Sequence, residues 1–572
     1  MSVSVNETEA KYEADLDSVL PALDDLPQVA AAARAPEQLL VAVYYDTADL
    51  RLLRAGITLR RRTGGLDAGW HLKLPVGDRT REEIRLPEQA GESSTGRGST
   101  GRGSTGRRST GQGSTGQGAI QRGARVPREL ADLVRSRSRG AALVPVATVS
   151  TRRQPTQLLD SAGLVLAEVA DDRVSAHREH DPESAASWRE VEVELAGGDG
   201  DLLAAVDDVM RQHGLTASAR SAKLERVLSS DLPAAARERR YRAADPAHEV
   251  IRAYLAGRAE ELAALDPQVR RFRPDAVHKM RVATRRLRSA LRTFGTVVSG
   301  TGVSGPVLSR AGVSSTGASG PGVSSTGVSG TGADTDHLAA ELKWLGDVLG
   351  RERDAEVQAA HLHAQKEQTD VAVLLGPVAA RIDSYFARES ATARTAVLKA
   401  LNSRRYLALL DDLDAVISDP PPGPDGDVAA GPAIAEAVSR SYRATRRRMH
   451  RALAAPPGEN RDAALHQARK AAKRARYAAE AAAPVAGKDA RRFAGQMKEL
   501  QTVLGDHQDT VIARQLERRL GLAAHLAGEN AFSYGLFYER DACDARLLQE
   551  LAAQIWRTAS RPRHRHWLRS AA

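Results

Sequence analysis

The chain of 572 residues exceeds what one hydrophobic core organises, so two or more domains are expected. Its 82 basic residues against 72 acidic ones give a formal charge of +10 and a pI near 9.7, which points to an anionic partner such as a phosphate polymer, a nucleotide or nucleic acid. Cys543 is the single cysteine, which excludes an intrachain disulfide and a thiolate metal cage; no apolar run of about 18 residues marks a membrane span, and the acidic N-terminus lacks the start of a secretion signal, so a cytoplasmic protein without a membrane partner is expected.

In chain order, the first segment is ETEAK, with Glu7, Glu9 and Lys11 two residues apart. On a strand these three share one face; on a helix Glu7 and Lys11 form an i,i+4 pair, and the stretch alone is compatible with both. Between Val41 and Leu86, VAVYYDT, GITLRRR, WHLKLP and REEIRLP are short, partly alternating and bounded by turn residues, as antiparallel strands are. A Ser/Thr/Gly tract with a five-residue period follows from Ser94 to Gly118, too polar to bury a core and therefore expected as a flexible insertion. More strands follow in LVPVATVSTRR, GLVLAEVADDRV and WREVEVELAGG.

From about His248 the texture changes to Ala, Leu, Arg and Glu runs that favour helix, interrupted by a second Gly/Ser/Thr/Val tract from Ser299 to about Asp334 and by the Pro-rich SDPPPGPDGD from Ser418. This half repeats itself. His278, Arg281, Arg285 and Arg288 recur at the same steps as His466, Arg469, Lys473 and Arg476, offset by 188 residues; Asp354 in VLGRERD recurs as Asp509 in VLGDHQD, offset by 155. The 33-residue difference matches the second tract, so one insertion into a duplicated helical bundle accounts for both offsets. Each stripe lies within a narrow arc of its helix, with Lys279, Arg286, Lys470 and Arg474 flanking, and the doubled basic face suits a long polyanion.

In the first half the charges alternate on strands. Arg60 and Arg62 share a parity, as do Arg81, Glu83 and Arg85, and Glu190, Glu192 and Glu194 alternate with Val191, Val193 and Leu195. A sandwich would turn these charges to solvent. A barrel that turns them inward would place cations to hold a polyanion and carboxylates to hold a hard divalent ion beside it.

ETEAK resembles the ExExK signature of the CYTH domain, the triphosphate tunnel metalloenzyme family. YYDT from Tyr44, LRRR from Leu59, LKLP from Leu72, REE from Arg81, AEVADD from Ala167, EVEVEL from Glu190 and SAKLERVL from Ser221 follow in that family's order. The resemblance implies an α+β multidomain chain: an N-terminal eight-stranded antiparallel β-barrel tunnel over residues 1–230, with an insert at about 91–120. It also implies hydrolysis of triphosphate with Mg2+ or Mn2+. Carried over by position, Glu7, Glu9, Glu190, Glu192 and Glu194 are the implied metal ligands. Arg60, Arg62, Lys73, Arg81, Arg153 and Lys223 are the implied phosphate grips, and Lys11 either contacts phosphate or positions the attacking water. Asp171 is a further acid, with Asp172 beside it as the alternative. The sequence departs from the family at His71, where a Thr is usual, and at Asn6, Thr8 and Ala10, where bulkier residues are usual; the latter leave the first strand weakly anchored.

Residues 245–565, with an insert at about 298–336, resemble the CHAD domain. This implies an all-α pair of pseudo-symmetric bundles that binds inorganic polyphosphate through His278, Lys279, Arg281, Arg285, Arg288, His466, Arg469, Lys470, Lys473 and Arg476. The expected function is a metal-dependent hydrolase of inorganic triphosphate or short polyphosphate. The alternatives are a non-catalytic protein bound to polyphosphate granules, a thiamine triphosphatase and an adenylate cyclase. No base-stacking aromatic platform accompanies the basic residues, which argues against nucleic acid as the partner.

Overall fold

The computed structural model describes residues 3–65, 67–77, 80–87, 124–220, 222–232, 239–298, 335–418 and 423–570, so both low-complexity tracts lie outside the described residues. The chain divides into two compact units, Met1–Ala236 and Arg237–Ala572.

In the first unit eight antiparallel strands close on themselves: β1 (Val3–Ala14), β2 (Gln38–Asp46), β3 (Thr58–Thr63), β4 (Gly69–Pro75), β5 (Thr80–Pro87), β6 (Val144–Leu159), β7 (Val165–Arg178) and β8 (Asp181–Leu195). Their spatial order is β1-β5-β4-β3-β2-β6-β7-β8, and the pairing of Glu9 with Glu194 and Lys11 with Glu192 joins β8 back to β1. ETEAK is therefore strand. Closure leaves no free edge and gives every strand one face inside and one outside. The outer faces are apolar and covered. Tyr12, Val169, Val191 and Val193 pack on Leu202, Val206 and Met210 of the helix Gly200–Gln212. Leu59, Trp70, Leu72 and Ile84 pack on Leu130, Leu133 and Val134 of the segment that includes the helix Arg128–Leu133.

Asn6 is exposed, Thr8 half-buried and Ala10 buried, so the outer face of β1 is indeed thin where the sequence departs from the family. Its anchor lies one step further on. Tyr12 is 0 % exposed, and its hydroxyl donates to Asp207 Oδ1 at 3.0 Å.

The second unit is helical: α1 (Ala247–Arg270), α2 (Ala276–Val298), α3 (Thr335–Glu367), α4 (Val378–Leu401), α5 (Arg404–Ser418), α6 (Ala430–Ala454), α7 (Glu459–Leu526) and α8 (Phe532–Ala559). α7 is not one rod. Gly487 takes φ 56°, and Arg514 reaches Asp462 at 3.1 Å although 52 residues separate them, a contact that only a hairpin folded back at Gly487 allows. The two arms of α7 correspond to α2 and α3, α6 to α1, and α8 to α4, so the repeat read from the sequence is a repeated set of packed helices. Both copies share one core built largely from Ala and Leu.

Tyr12→Ala is expected to destabilise the barrel by roughly 3–5 kcal/mol, the range for truncating a large buried ring. The measurement is the denaturant midpoint of the barrel's transition; an unchanged midpoint would show that β1 is held elsewhere.

Candidate functional site

Period-two alternation decides what the barrel holds. Val5, Glu7, Glu9 and Lys11 of β1, Tyr44 of β2, Arg60 and Arg62 of β3 and Lys73 of β4 line a cavity of about 510 Å3. Arg81, Glu83 and Arg85 of β5, Arg153 of β6, Glu168 of β7 and Glu192 and Glu194 of β8 also line it, together with Lys223. Lys223 comes from the helix Lys223–Val227, whose Leu224 and Val227 pack against Ala42, Val149, Val174 and Trp188. These are inward positions, so one end of the interior is filled with apolar side chains and the charged cavity begins at Lys223.

The charges separate into two neighbourhoods. Around Lys223, its Nζ lies 2.9 Å from Asp172, 2.7 Å from Glu190 and 2.8 Å from Glu192. Arg153 donates to both oxygens of Asp172 at 2.8 and 2.7 Å and to Glu192 at 2.6 Å. Glu190 also accepts from Trp188 Nε1 at 2.6 Å. Burial works against the charge of Glu192, yet Lys11, Lys223 and Arg153 overcome it and hold its carboxyl well below the usual range.

The second neighbourhood is short of cations. Glu9 stands directly opposite Glu194 across β1 and β8, and Glu194 stands opposite Glu168 across β7 and β8. Like charges facing one another across strands repel. Burial raises Glu194, with Glu9, Glu83 and Glu192 adding to it. Glu7, 2 % exposed, is pushed up to about 7 by burial in spite of Lys73 Nζ at 2.5 Å and with Arg85 Nη2 at 2.8 Å, and Glu83 and Glu194 add to the rise. Glu9 is held low, because Lys11 at 3.4 Å and Lys73 outweigh its burial. A row of carboxylates facing one another in this way suits a hard divalent cation, and among the described residues of the barrel the carboxylates whose oxygens lie within 4.8 Å of one another are Asp172, Glu190 and Glu192.

Of the positions named from the sequence, Glu7, Glu9, Lys11, Arg60, Arg62, Lys73, Arg81, Arg153, Glu192, Glu194 and Lys223 border one cavity, and Glu190 lies beside it against Lys223. Asp172, 0 % exposed, is the inward acid of its pair, whereas Asp171 binds Arg189 at 2.8 Å on the other face. The sequence reading turned Glu83 and Arg85 inward without giving them a role, and it passed over Glu168 and Asp67, which also line the cavity. Glu83 and Arg85 share the parity of Arg81, so the signal was present in REEIRLP. His71 is buried, with Nδ1 2.9 Å from Glu83 and Nε2 2.8 Å from the Asp67 carbonyl, so it braces Glu83 from behind.

In the helical unit the two stripes converge. Arg281 and Arg285 of α2 and Arg469 and Lys473 of α7 lie close enough to act on one another's charge. Arg281 Nη1 is 3.2 Å from Asp354, and Asp509 lies near Arg469, so each copy supplies an acid partner. Gly350 and Gly505, the glycines of the two VLG motifs, sit under these arginines: an added Cβ would come within 3.2 Å of Arg281 Nη2 and 3.0 Å of Arg469 Nη2. Arg286 and Arg476 meet across the copies on Glu480, at 3.1 and 2.7 Å. Burial lowers His278 and His466, and neighbouring cations add to this. The Nε atoms of Arg281, Arg285, Arg288 and Arg469 are buried without a hydrogen-bond partner among the described residues.

A closed barrel with facing rows of acids and bases, joined in one chain to a duplicated helical bundle with a basic cluster, defines a two-part class of proteins. Residues 6–227 match the CYTH domain, and residues 253–310 and 328–518 match the CHAD domain. The chain belongs to the family in which a CYTH domain is followed by a CHAD domain. It is 32 % identical over 553 residues to the uncharacterized protein Rv2226 of Mycobacterium tuberculosis (strain ATCC 25618 / H37Rv), covering 94 % of this chain and 93 % of that protein. Among solved structures it is similar to PptA from Streptomyces chartreusis (TM-score 0.41, 19 % identity, 55 % of this chain and 99 % of that one). It is also similar to the PH1819 protein from Pyrococcus horikoshii OT3 (TM-score 0.22, 16 % identity, 39 % of this chain and 99 % of that one). Among the described residues no helix is long and apolar enough to cross a membrane.

Lys473 is pushed down to about 6 by burial, with Arg469, Arg285 and Arg281 adding. Its unfolded value is 10.5, so between these limits the unfolded chain carries a proton that the folded one lacks, and stability of the helical unit rises with pH over that window. Lys473→Met should flatten the rise, read as urea midpoints at pH 6 and pH 9; an unaltered slope would show that the folded ammonium stays charged.

Proposed function

We propose that the barrel is a metal-dependent hydrolase of inorganic triphosphate or short polyphosphate and that the helical unit binds polyphosphate. The observation that carries the reading is the pairing, within one cavity, of a carboxylate row short of cations with a wall of arginines and lysines. A polyphosphate segment satisfies the wall, and a divalent ion satisfies the row.

In this reading Arg60, Arg62, Lys73, Arg81 and Arg153 hold phosphoryl oxygens. Lys223 stands at the base of the cavity, where it marks the depth that a terminal phosphate reaches. Glu190, Glu192 and Asp172 keep Lys223 and Arg153 charged and aimed. Mg2+ or Mn2+ held by Glu7, Glu9 and Glu194 would neutralise charge on the substrate and lower the barrier to attack. Lys11, tied to Glu192 at 2.6 Å and to Glu9 at 3.4 Å, is placed to orient water beside the acidic row. Fixed charges aimed at a reacting phosphoryl group account for most of such catalysis, which is why this reading needs no covalent nucleophile. In the helical unit, the convergence of Arg281, Arg285, Arg469 and Lys473 supports a single anion-binding surface shared by both copies.

Phosphate release from tripolyphosphate with Mn2+ or Mg2+ should fall by about 10²-fold or more in Glu9→Ala, the size expected when a charge-stabilising group is lost. Equal rates in a folded variant would remove Glu9 from the site.

Polyphosphate affinity should fall in Arg281→Ala and in Arg469→Ala, and the two losses should combine non-additively because the guanidinium groups share one cluster. Titration calorimetry at fixed salt reads this, and strictly additive losses would separate the two copies into independent sites.

A further inference from the structure

Neither charge stripe accounts for a second group of titratable side chains inside the helical unit. His361 and Gln365 project from α3, Glu517 from α7 and Asp541 from α8. His361 Nε2 lies 3.0 and 2.8 Å from the two oxygens of Asp541, and Gln365 Nε2 donates to Asp541 Oδ1 at 2.9 Å. The Gln365 amide is fixed in this sense, because Arg540 Nη1 donates to its Oε1 at 2.9 Å. Asp541 and Glu517 are each 0 % exposed. Both oxygens of Glu517 are buried without a hydrogen-bond partner among the described residues. One atom each from His361, Glu517 and Asp541 falls within 4.8 Å of the others.

The fold does not require charge here. The 155-residue offset that relates Asp354 to Asp509 places Leu516, Leu362 and Phe386 at the positions equivalent to His361, Glu517 and Asp541. Those three equivalents belong to the apolar cluster around the site, with Leu520 and Phe537. Each copy thus fills the same three positions in opposite ways, and the charged set is gathered on one side. Two buried carboxylates in apolar surroundings are costly unless something neutralises both, and the imidazole answers only Asp541.

We propose that His361, Glu517 and Asp541 bind a divalent transition-metal cation of the Zn2+ or Mn2+ type, which ties α3, α7 and α8 together. One imidazole nitrogen and two carboxylates are the donor set that such ions take, whereas Mg2+ favours oxygen and water. A 2+ ion offsets the two carboxylate charges, where Glu517 otherwise has another carboxyl, Asp541, as its neighbour. His361 is the most accessible of the three, with 27 % of its side chain exposed, and offers the way in. The site is structural in role: it bears on the stability of the helical unit and is independent of the barrel's chemistry.

The test uses the full-length chain carrying Glu7→Gln, Glu9→Gln and Glu192→Gln, so that neither the barrel's acidic row nor its group of Asp172, Glu190 and Glu192 contributes. After chelation, the protein is dialysed against Zn2+, Mn2+ or Mg2+ alone, and bound metal is measured by elemental analysis beside the thermal midpoint. The expected result is about one Zn2+ or Mn2+ per chain, a raised midpoint, and at least a tenfold weaker affinity in Glu517→Gln and in His361→Ala. Should Glu517→Gln not fold, the visible spectrum of bound Co2+ and its loss in His361→Gln decide the matter. Absence of bound Zn2+ and Mn2+, or binding undiminished in these variants, overturns the site. Glu517 and Asp541 would then be a carboxyl pair sharing a proton, consistent with burial and Asp541 pushing Glu517 up to about 9.

Discussion

The barrel rests on an inversion of the usual arrangement: its strands face apolar side chains outward and charged ones inward. Buried charge is costly, and it persists here because acids and bases alternate on neighbouring strands and meet across the lumen. Lys223 with Asp172, Glu190 and Glu192 is the clearest instance, three carboxylates within 2.9 Å of one ammonium. The outward apolar faces then need cover, which the helix Gly200–Gln212 and the segment containing Arg128–Leu133 supply. The helices of this unit are therefore the counterpart of the charged interior.

Compensation inside is uneven, and the unevenness is informative. Asp172, Glu190 and Glu192 are matched by Lys223, Arg153 and Lys11, so that group is a rigid, self-neutralising base. Glu9, Glu194 and Glu168 face one another with fewer cations, and burial raises Glu194. Rigid where balanced and unsatisfied where not, the interior is preorganised on one side and receptive on the other. The helical unit follows a related logic. Gly350 and Gly505 each carry an arginine against a bare stretch of helix, which brings like charges together at the junction of the copies and adds to the burial that pushes Lys473 down.

Much of this was legible in the sequence because period-two alternation ties residue type to face. Glu190, Glu192 and Glu194 opposite Val191, Val193 and Leu195 could only be read one way once strands closed into a barrel, and the offsets of 188 and 155 exposed the duplication. What escaped depended on which charge a side chain would meet. Glu83 and Arg85 carry the inward parity, yet nothing local says that Glu83 is braced by His71 or that Arg85 reaches Glu7 at 2.8 Å. The choice between Asp171 and Asp172 needed the register of β7 against β6 and β8. Tyr12 was missed as the anchor of β1 because its partner, Asp207, lies 195 residues away on a helix. In the sequence Glu517 is one acid among the charges of ARQLERRL, and only packing against α3 and α8 sets it apart.

The same interior also bears on what part of a substrate it reads. Arg60, Arg62, Lys73, Arg81, Arg153 and Lys223 present only donors, and Tyr44, the aromatic residue among the described lining of the cavity, has its hydroxyl engaged by Arg60 at 3.4 Å. Donors of this kind recognise phosphoryl oxygens through charge and geometry, whereas an attached heterocycle is read by stacking and by edge hydrogen bonds. The apolar filling by Ala42, Val149, Val174, Trp188 and Leu224 lies beyond Lys223, at the closed end. An organic group would have to sit toward the open end, beside Val5, Val165 and Leu195, while the phosphates occupied the depth. Under the proposed reading, charge is concentrated where the terminal phosphates of such a substrate would lie.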